Sequence, residues 1–125
     1  MELFGYKIFG SPYCKIWASQ ALSLKMRSWG IFGGRCPLGT DVLVTHGAPN
    51  GICDMSYQRE SIGAKSLRKR IYELMPKVCC FGHIHEANGC MVDTDSSITF
   101  MNSSICDRKY NPVGRAHVID LDSKI

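Results

Sequence analysis

Two short runs of nearly continuous apolar residues flank one amphipathic segment in the middle of the chain. The runs Asp41–Thr45 and Lys77–Phe81 are typical of strands buried on both faces of a parallel or mixed sheet. Between them, Leu67, Ile71 and Leu74 recur at helical spacing among basic residues and are followed by a proline, which predicts an amphipathic helix. The order strand, helix, strand predicts a βαβ crossover, so both strands end at the same edge of the sheet.

Less regular patterns predict the remaining elements. Four further apolar runs are interpreted as strands: Tyr6–Phe9, Cys90–Asp93, Ser97–Met101 and Ala116–Leu121. Residues 16–29 fit neither the helical nor the strand period cleanly and are interpreted as helical. Glycine, proline and other turn-prone residues predict breaks or loops at 10–12, 31–39, 48–59, 93–96 and 102–115.

Composition and charge are those of one ordinary globular domain. The chain has 125 residues, of which 45% are hydrophobic, and a net charge of +4, which excludes a disordered tail. Basic residues cluster only within Lys65–Arg70, with the spacing of a solvated helix face, so no nucleic-acid partner is expected. A core of this size needs no disulfide or metal to be stable.

The cysteines and the lengths of the apolar runs bear on the compartment. Seven cysteines is an odd number, and Cys79 and Cys80 are adjacent within an apolar run, so a closed disulfide framework cannot use them all. This usage favours a reducing, cytoplasmic location. No run reaches the roughly 20 apolar residues of a membrane helix, so no membrane partner is expected.

Three of the four histidines follow the two buried runs. His46 comes directly after the first run, and His83 and His85 follow the second, so all three are predicted at one edge of the sheet. In an extended backbone, His83 and His85 point to the same face. Because imidazole is a common ligand of metal ions, the sequence predicts a metal site at this edge. The alternative is a set of turn histidines that are hydrogen-bonded to the backbone.

These histidines lie in two stretches that carry a family resemblance. Asp41–Gly51 reads DVLVTHGAPNG, and Val78–Gly89 reads VCCFGHIHEANG. Both resemble the last two metal motifs of the calcineurin-like metallophosphoesterases, in particular the branch of metallophosphoesterase domain-containing proteins. Gly10–Tyr13 and Asn102–Asp107 are also similar to segments of that branch. The resemblance implies an α/β fold, namely the carboxyl-terminal half of a β-sandwich flanked by helices, with residues 1–125 forming a single partial domain.

The resemblance also implies a chemistry. Enzymes of this family hold two divalent metal ions, which are manganese, iron, zinc or magnesium, and use an activated hydroxide rather than a side-chain nucleophile. Carried over to this chain, His46 and His83 would ligate one ion and His85 the other. The implied activity is a phosphodiesterase-type hydrolysis of a small phosphoester or nucleotide, with cyclic nucleotides among the candidate substrates.

The chain departs from the family pattern in its first metal motifs. The sequence contains no Asp-x-His, no Gly-Asp and no Gly-Asn-His, which supply the other ligands in the family. We therefore expect the isolated chain to be inactive or weakly active, and to depend on self-association or on a complementing amino-terminal half. The alternative is a catalytically inactive truncated form that binds a metal, a nucleotide or a protein partner.

Two residues near the histidines have more than one interpretation. Glu86 either orients an imidazole through a hydrogen bond or is merely solvated. Cys80 and His83 have Cys-x-x-His spacing, which allows a structural zinc site with other cysteines. Burial of the cysteines as small hydrophobic residues is the favoured interpretation.

The remaining polar candidates are assigned structural roles. Asp93 and Asp95 resemble a carboxylate pair, but their position between two predicted strands favours a turn. Asn102 and Asp107 are expected to fix a loop. His117 lies within the last predicted strand and is expected to pack against neighbouring residues.

Overall fold

Six strands form one mixed sheet in the part of the chain that the structure describes. The structure is a computed structural model, and it describes residues 1–12 and 36–122. The elements in chain order are β1 (Glu2–Leu3), β2 (Tyr6–Ser11), β3 (Val42–Thr45), α1 (Lys65–Leu74), β4 (Val78–Phe81), a 3₁₀ turn (His85–Ala87), β5 (Gly89–Val92) and β6 (Thr99–Asn102). The spatial order is β1-β2-β3-β4-β6-β5. Strands β2, β3, β4 and β6 are parallel, and β1 and β5 pair antiparallel at the two edges.

The predicted βαβ crossover is confirmed. Strands β3 and β4 pair in parallel, with Leu43 opposite Cys79, and α1 connects them. The helix ends where Met75 adopts the left-handed conformation and donates its backbone N–H to the Ile71 carbonyl. Pro76 follows and cannot continue the helix. No helix within the described ranges is both long and apolar enough to cross a membrane.

The core lies between α1 and one face of the sheet. Leu67, Ile71 and Leu74 are the buried residues of the helix, as their spacing predicted. They belong to one apolar cluster with residues of the central strands, which include Leu43, Cys79, Phe81 and Phe100. Burying a side chain of this size contributes about 2 kcal/mol, so this cluster fixes the strands that carry the histidines.

The opposite face of the sheet is more open. The prediction of burial on both faces is right for Val78 at the start of β4, which is buried, but it is wrong for β3, where Val44 is 41% exposed. The carboxyl-terminal segment crosses part of this face. Leu121 lines a groove of about 460 Å³ there, and the Tyr6 hydroxyl donates a hydrogen bond to the Asp122 carbonyl.

Two sequence predictions about strands are wrong. Residues 116–121 are not a strand, because they form no ladder with β1 or β5, the strands at the two edges of the described sheet. His117 is therefore not in a strand. Strand β2 continues through Gly10 and Ser11, which were predicted to break it, because the ladder with β3 extends to the Ser11–Thr45 pair. The predictions for residues 16–29 and 31–35 lie outside the described residues.

Candidate metal centre

Two loops at the carboxyl edge of the sheet carry the histidines. The first histidine loop, residues 46–64, joins β3 to α1, and the second histidine loop, residues 82–88, joins β4 to β5. Because β3 and β4 are parallel, both loops begin at the same edge. The Gly82 N–H donates to the His46 carbonyl at 3.0 Å, so the backbones of the two loops are hydrogen-bonded to each other.

The side chains of His46 and His83 meet above this backbone contact. Their Nε2 and Nδ1 atoms are 3.1 Å apart, and the ring planes are inclined at 61°. Without a metal, this contact is an N–H···N hydrogen bond in which one ring is the donor. The spacing also fits a shared ion, because two neighbouring ligands with metal–nitrogen bonds of about 2.0–2.1 Å lie about 3.0–3.4 Å apart. The donor pair therefore fits a divalent metal.

The surroundings of His83 favour the neutral form of its imidazole. Desolvation lowers the pKa of its imidazole, and the neighbouring His46 and His85 lower it further, whereas Glu86 opposes them. A neutral imidazole has a free lone pair for a metal. The backbone of His83 has φ 71°, a conformation that costs energy in a residue with a side chain and is common at functional sites.

The imidazole of His85 makes a different contact, with the Asp107 backbone. Its Nδ1 lies 2.9 Å from the Asp107 carbonyl oxygen, and because a carbonyl can only accept, Nδ1 carries a proton; in the neutral ring Nε2 then has the lone pair. Metal-binding histidines commonly donate their second nitrogen in this way. The prediction that His83 and His85 share a face of an extended backbone is wrong. The backbone of His83 is in the left-handed conformation, and His85 begins the 3₁₀ turn.

The structure thus brings two of the three predicted ligands into contact. Among residues 1–12 and 36–122, no group of three or more His, Cys, Asp or Glu side chains is arranged to hold a metal. His46 and His83 form a pair of donors, and His85 stands beside this pair on the same loop as His83. The described residues therefore bring together two possible donors, which is fewer than a metal site usually has.

Comparison with known proteins identifies the relatives of this chain. Metallophosphoesterase domain-containing protein 1 of Homo sapiens is 32% identical over 124 residues, which cover 94% of this chain and 36% of that protein. The chain is related to the metallophosphoesterase domain-containing proteins. A UPF0046 protein of Caenorhabditis elegans is 34% identical over 90% of this chain and 30% of its own length. Another from the same organism is 30% identical, with coverages of 90% and 42%.

These matches confirm the resemblance that the motifs indicated. The match falls in the carboxyl-terminal part of the metallophosphoesterase relatives, and the mixed six-stranded sheet is compatible with half of a metallophosphoesterase fold. The chain spans 36%, 30% and 42% of the lengths of these three relatives. No protein-family model matches the chain. The relationship implies dependence on a divalent metal, which is the kind of ion that the His46–His83 pair fits.

Asn102 joins the loops around the histidines. It is fully buried, and its Nδ2 donates to the carbonyls of Cys53 and Ile84, both at 3.0 Å. Its Oδ1 accepts a hydrogen bond from the Ser104 backbone N–H. The predicted loop role of Asn102 is confirmed, and it extends to both histidine loops, because Cys53 lies in the first and Ile84 in the second.

Asp107 organises the segment that receives His85. Its carboxylate accepts hydrogen bonds from the backbone N–H groups of Lys109 and Asn111 and from the Asn111 side chain. These bonds confirm its predicted role in fixing a loop. The Asn111 side chain and its backbone N–H are the main causes that lower the pKa of the Asp107 carboxyl. The charged form of Asp107 therefore keeps its carbonyl in place for His85.

The sequence analysis missed the residue that organises the first histidine loop. Asp54 is 3% exposed, and its Oδ2 accepts hydrogen bonds from the N–H groups of Gly51 and Gly63 and from the Ser61 hydroxyl. A buried carboxylate keeps its charge only when it has such donors. The signal was an aspartate within a glycine- and serine-rich loop, which favours local hydrogen bonding to the backbone.

The other polar candidates have structural contacts. Glu86 accepts a hydrogen bond from the Tyr57 backbone N–H at 2.7 Å, so it holds a loop and does not orient an imidazole. Asp93 accepts from the Asp95 N–H and from the hydroxyls of Ser96 and Tyr72, which confirms the turn role. These bonds lower the pKa of the Asp93 carboxyl, with the Ser96 hydroxyl as the largest cause.

The expected burial of the cysteines holds for Cys36 and Cys79, whereas Cys53, Cys80 and Cys106 are half-buried and Cys90 is exposed. The six described cysteines are free thiols. Burial raises the pKa of the Cys80 thiol and, by more, that of Cys79. Zinc binds the thiolate, so a raised thiol pKa disfavours the alternative of a Cys-x-x-His zinc site that includes Cys80.

Proposed function

We propose that this chain supplies the carboxyl-terminal ligands of a metal-dependent phosphoesterase that hydrolyses phosphodiesters, cyclic nucleotides among them. The observation that carries the proposal is the 3.1 Å contact between His46 Nε2 and His83 Nδ1 at the carboxyl edge of a parallel sheet. The relationship to metallophosphoesterase domain-containing proteins supports the same reaction class.

In this proposal, the ring nitrogens of His46 and His83 hold one divalent metal. A bound divalent metal polarises the phosphoryl group and activates water as the nucleophile. Because Nδ1 of His85 donates to the Asp107 carbonyl, its Nε2 presents a lone pair for a second metal. Asn102 donates to one carbonyl in each loop and so holds both loops in place. The three imidazoles are therefore preorganised at one edge of the sheet.

The proposal assigns the remaining ligands to a complementing amino-terminal half or to a second copy. A metal usually takes four or more ligands, and two histidines provide only half of the smallest set. The relatives extend well beyond the matched segment, which is 36% of the human protein. The free thiols fit a reducing, cytoplasmic location, which is also part of the proposal.

The test is hydrolysis of a chromogenic phosphodiester by the purified chain with added Mn²⁺, together with calorimetric titration of Mn²⁺. We expect Mn²⁺ to bind and the weak turnover of the isolated chain to require it, and we expect His83→Ala to abolish this turnover. His117→Ala is the matched control and is expected to leave turnover unchanged. If Mn²⁺ does not bind to the wild-type chain, the proposal is wrong.

A second candidate is a binding module without turnover. It is favoured by the absence of a group of three or more metal-binding side chains within the described segments. Under this alternative, Mn²⁺ binds and His83→Ala weakens the binding, but no phosphodiester is hydrolysed at any metal concentration. The same titration and assay therefore separate the two candidates.

A further inference from the structure

A cavity of about 250 Å³ lies beside the second histidine loop. It is lined by Ser56, Tyr57, Gln58, Ile62, Glu86 and Arg108. One of these residues is the chain neighbour of His85, and another is the chain neighbour of the residue that accepts a hydrogen bond from His85. Glu86 directly follows His85, and Arg108 directly follows Asp107, whose carbonyl accepts the hydrogen bond from His85 Nδ1. The cavity is therefore linked to His85 by the peptide bond to Glu86 and, on the other side, by the peptide bond from Arg108 to Asp107 and the hydrogen bond from His85 to Asp107.

An aromatic ring and a guanidinium group form one wall of this cavity. The Arg108 Cζ atom lies 4.7 Å from the centre of the Tyr57 ring, which is cation–π distance. The Tyr57 backbone N–H donates to Glu86 Oε1, so the backbone is fixed, while the side chain remains 50% exposed. An exposed aromatic side chain on a fixed backbone provides a stacking surface at little entropic cost.

The lining of the cavity suits the organic group of a phosphoester better than its phosphate. The Glu86 carboxylate and the Arg108 guanidinium give the lining no net charge, so it has no excess positive charge to hold a phosphate. The Tyr57 ring and the Ile62 side chain favour a flat apolar group there, and Arg108 stacks on such a group as readily as on tyrosine. The phosphate then belongs at the neighbouring histidines.

We propose that this cavity binds the aromatic group of a phosphoester, and that Tyr57 and Arg108 select aryl esters over alkyl esters. The position of the phosphate at the histidines rests on the proposed function. The cavity itself is a separate binding surface, so its preference for an aromatic group can be measured without turnover.

The test compares the affinities of phenyl phosphate and methyl phosphate for the full chain, by calorimetry or NMR titration, with Mn²⁺ and with a chelator. We expect phenyl phosphate to bind about tenfold more tightly than methyl phosphate, which is the usual value of one aromatic stacking contact together with its buried area. Tyr57→Ala should remove this preference, and Tyr57→Phe should retain it. Both variants change an exposed side chain and are therefore expected to fold. Circular dichroism checks that they do.

Matched controls separate the cavity from other surfaces. Arg108→Ala should reduce the preference about threefold, whereas Arg115→Ala, which removes an exposed arginine outside the lining, should leave it unchanged. Phe4→Ala tests adsorption to the groove on the open face of the sheet. Equal affinities for the two esters, no binding of either at millimolar concentration, or a preference that survives Tyr57→Ala and is lost in Phe4→Ala would each overturn the proposal.

The same titrations distinguish this proposal from the proposed function. If Mn²⁺ does not bind but the preference for phenyl phosphate persists in chelator and is lost in Tyr57→Ala, the aromatic site is supported and the metal site is contradicted. If Mn²⁺ binds through His83 and the two esters bind equally, the metal site is supported and the aromatic site is contradicted.

Discussion

The two histidine loops lie side by side at one edge of the sheet but are held in different ways. The first histidine loop is fixed mainly from within, because Asp54 accepts hydrogen bonds from Gly51, Ser61 and Gly63, all in the same loop, while Asn102 adds one bond from outside to the Cys53 carbonyl. The second histidine loop is fixed from outside. Its Ile84 carbonyl accepts a hydrogen bond from Asn102, and residues after β6 supply its other main contacts.

This difference shows which contacts determine the geometry of the His46–His83 pair. The first loop can form its hydrogen bonds as soon as residues 46–64 are together. The second loop needs β6 in place before Ile84 and His85 reach their partners. The pair therefore forms only when the sheet is complete from β3 to β6, and damage to the second loop should be the more costly.

The largest expected effect is that of Asn102→Ala. The substitution removes two donated bonds and one accepted bond at a fully buried position, and it leaves the Cys53 and Ile84 carbonyls without this donor. We expect a loss of about 3 kcal/mol in the free energy of unfolding, measured by urea denaturation. The matched control is Asn50→Ala in the first loop, which removes one bond to Ser61 and should cost less than about 1 kcal/mol. Equal losses would remove the contrast between the loops.

Gly63→Ala is expected to have the next largest effect. A Cβ at this position would lie 2.5 Å from the carbonyl carbon and oxygen of Pro49, which are backbone atoms and cannot turn aside. We expect a loss of about 2 kcal/mol in the free energy of unfolding. Gly10→Ala in β2 is the control, because its Cβ would meet only the Val44 carbonyl at 3.9 Å. A neutral Gly63→Ala variant would show that the first loop is loosely packed.

His85→Ala should weaken Mn²⁺ binding about tenfold, which is less than the effect of removing either member of the His46–His83 pair. The reason is that His85 donates from Nδ1 to the Asp107 carbonyl, whereas the His46 and His83 rings contact each other directly. Calorimetric titration of the three alanine variants measures this ranking. An effect of His85→Ala as large as that of His83→Ala would place all three imidazoles on one ion.

The smallest expected effect is a pH dependence from Asp107. Hydrogen bonds, chiefly from the Asn111 side chain, lower the pKa of this carboxyl in the folded protein. Its contribution to stability is therefore full above the unfolded pKa of about 3.9 and is lost as the pH falls through the lower, folded value. We expect the stability difference between wild type and Asp107→Asn to shrink as the pH is lowered below about 4. A constant difference from pH 7 to pH 2 would contradict this assignment.

The same contrast explains which features could be predicted from the sequence. The βαβ crossover and the common edge of His46 and His83 followed from local apolar patterns, because buried parallel strands and amphipathic helices have distinct periods. The false strand at residues 116–121 has the apolar pattern but no partner, and pairing is not encoded locally.

Within the candidate site, sequence reasoning failed where contacts are distant. It gave Asn102 a loop role but not its bonds to Cys53 and Ile84, which lie 49 and 18 residues away. It also placed His83 and His85 on one face, because an extended backbone was assumed where the left-handed His83 turns the chain. Such a conformation in a residue with a side chain is imposed by surrounding contacts and has no compositional signal.

The most direct test of the central claim is paramagnetic broadening of the imidazole NMR signals by Mn²⁺. The account predicts that the ring signals of His46 and His83 broaden together at substoichiometric Mn²⁺. It also predicts that His46→Ala abolishes the broadening of His83 at the same metal concentration, because the two nitrogens 3.1 Å apart act as one donor pair. Sharp signals from both rings at stoichiometric Mn²⁺, or broadening of His83 that does not depend on His46, would contradict it.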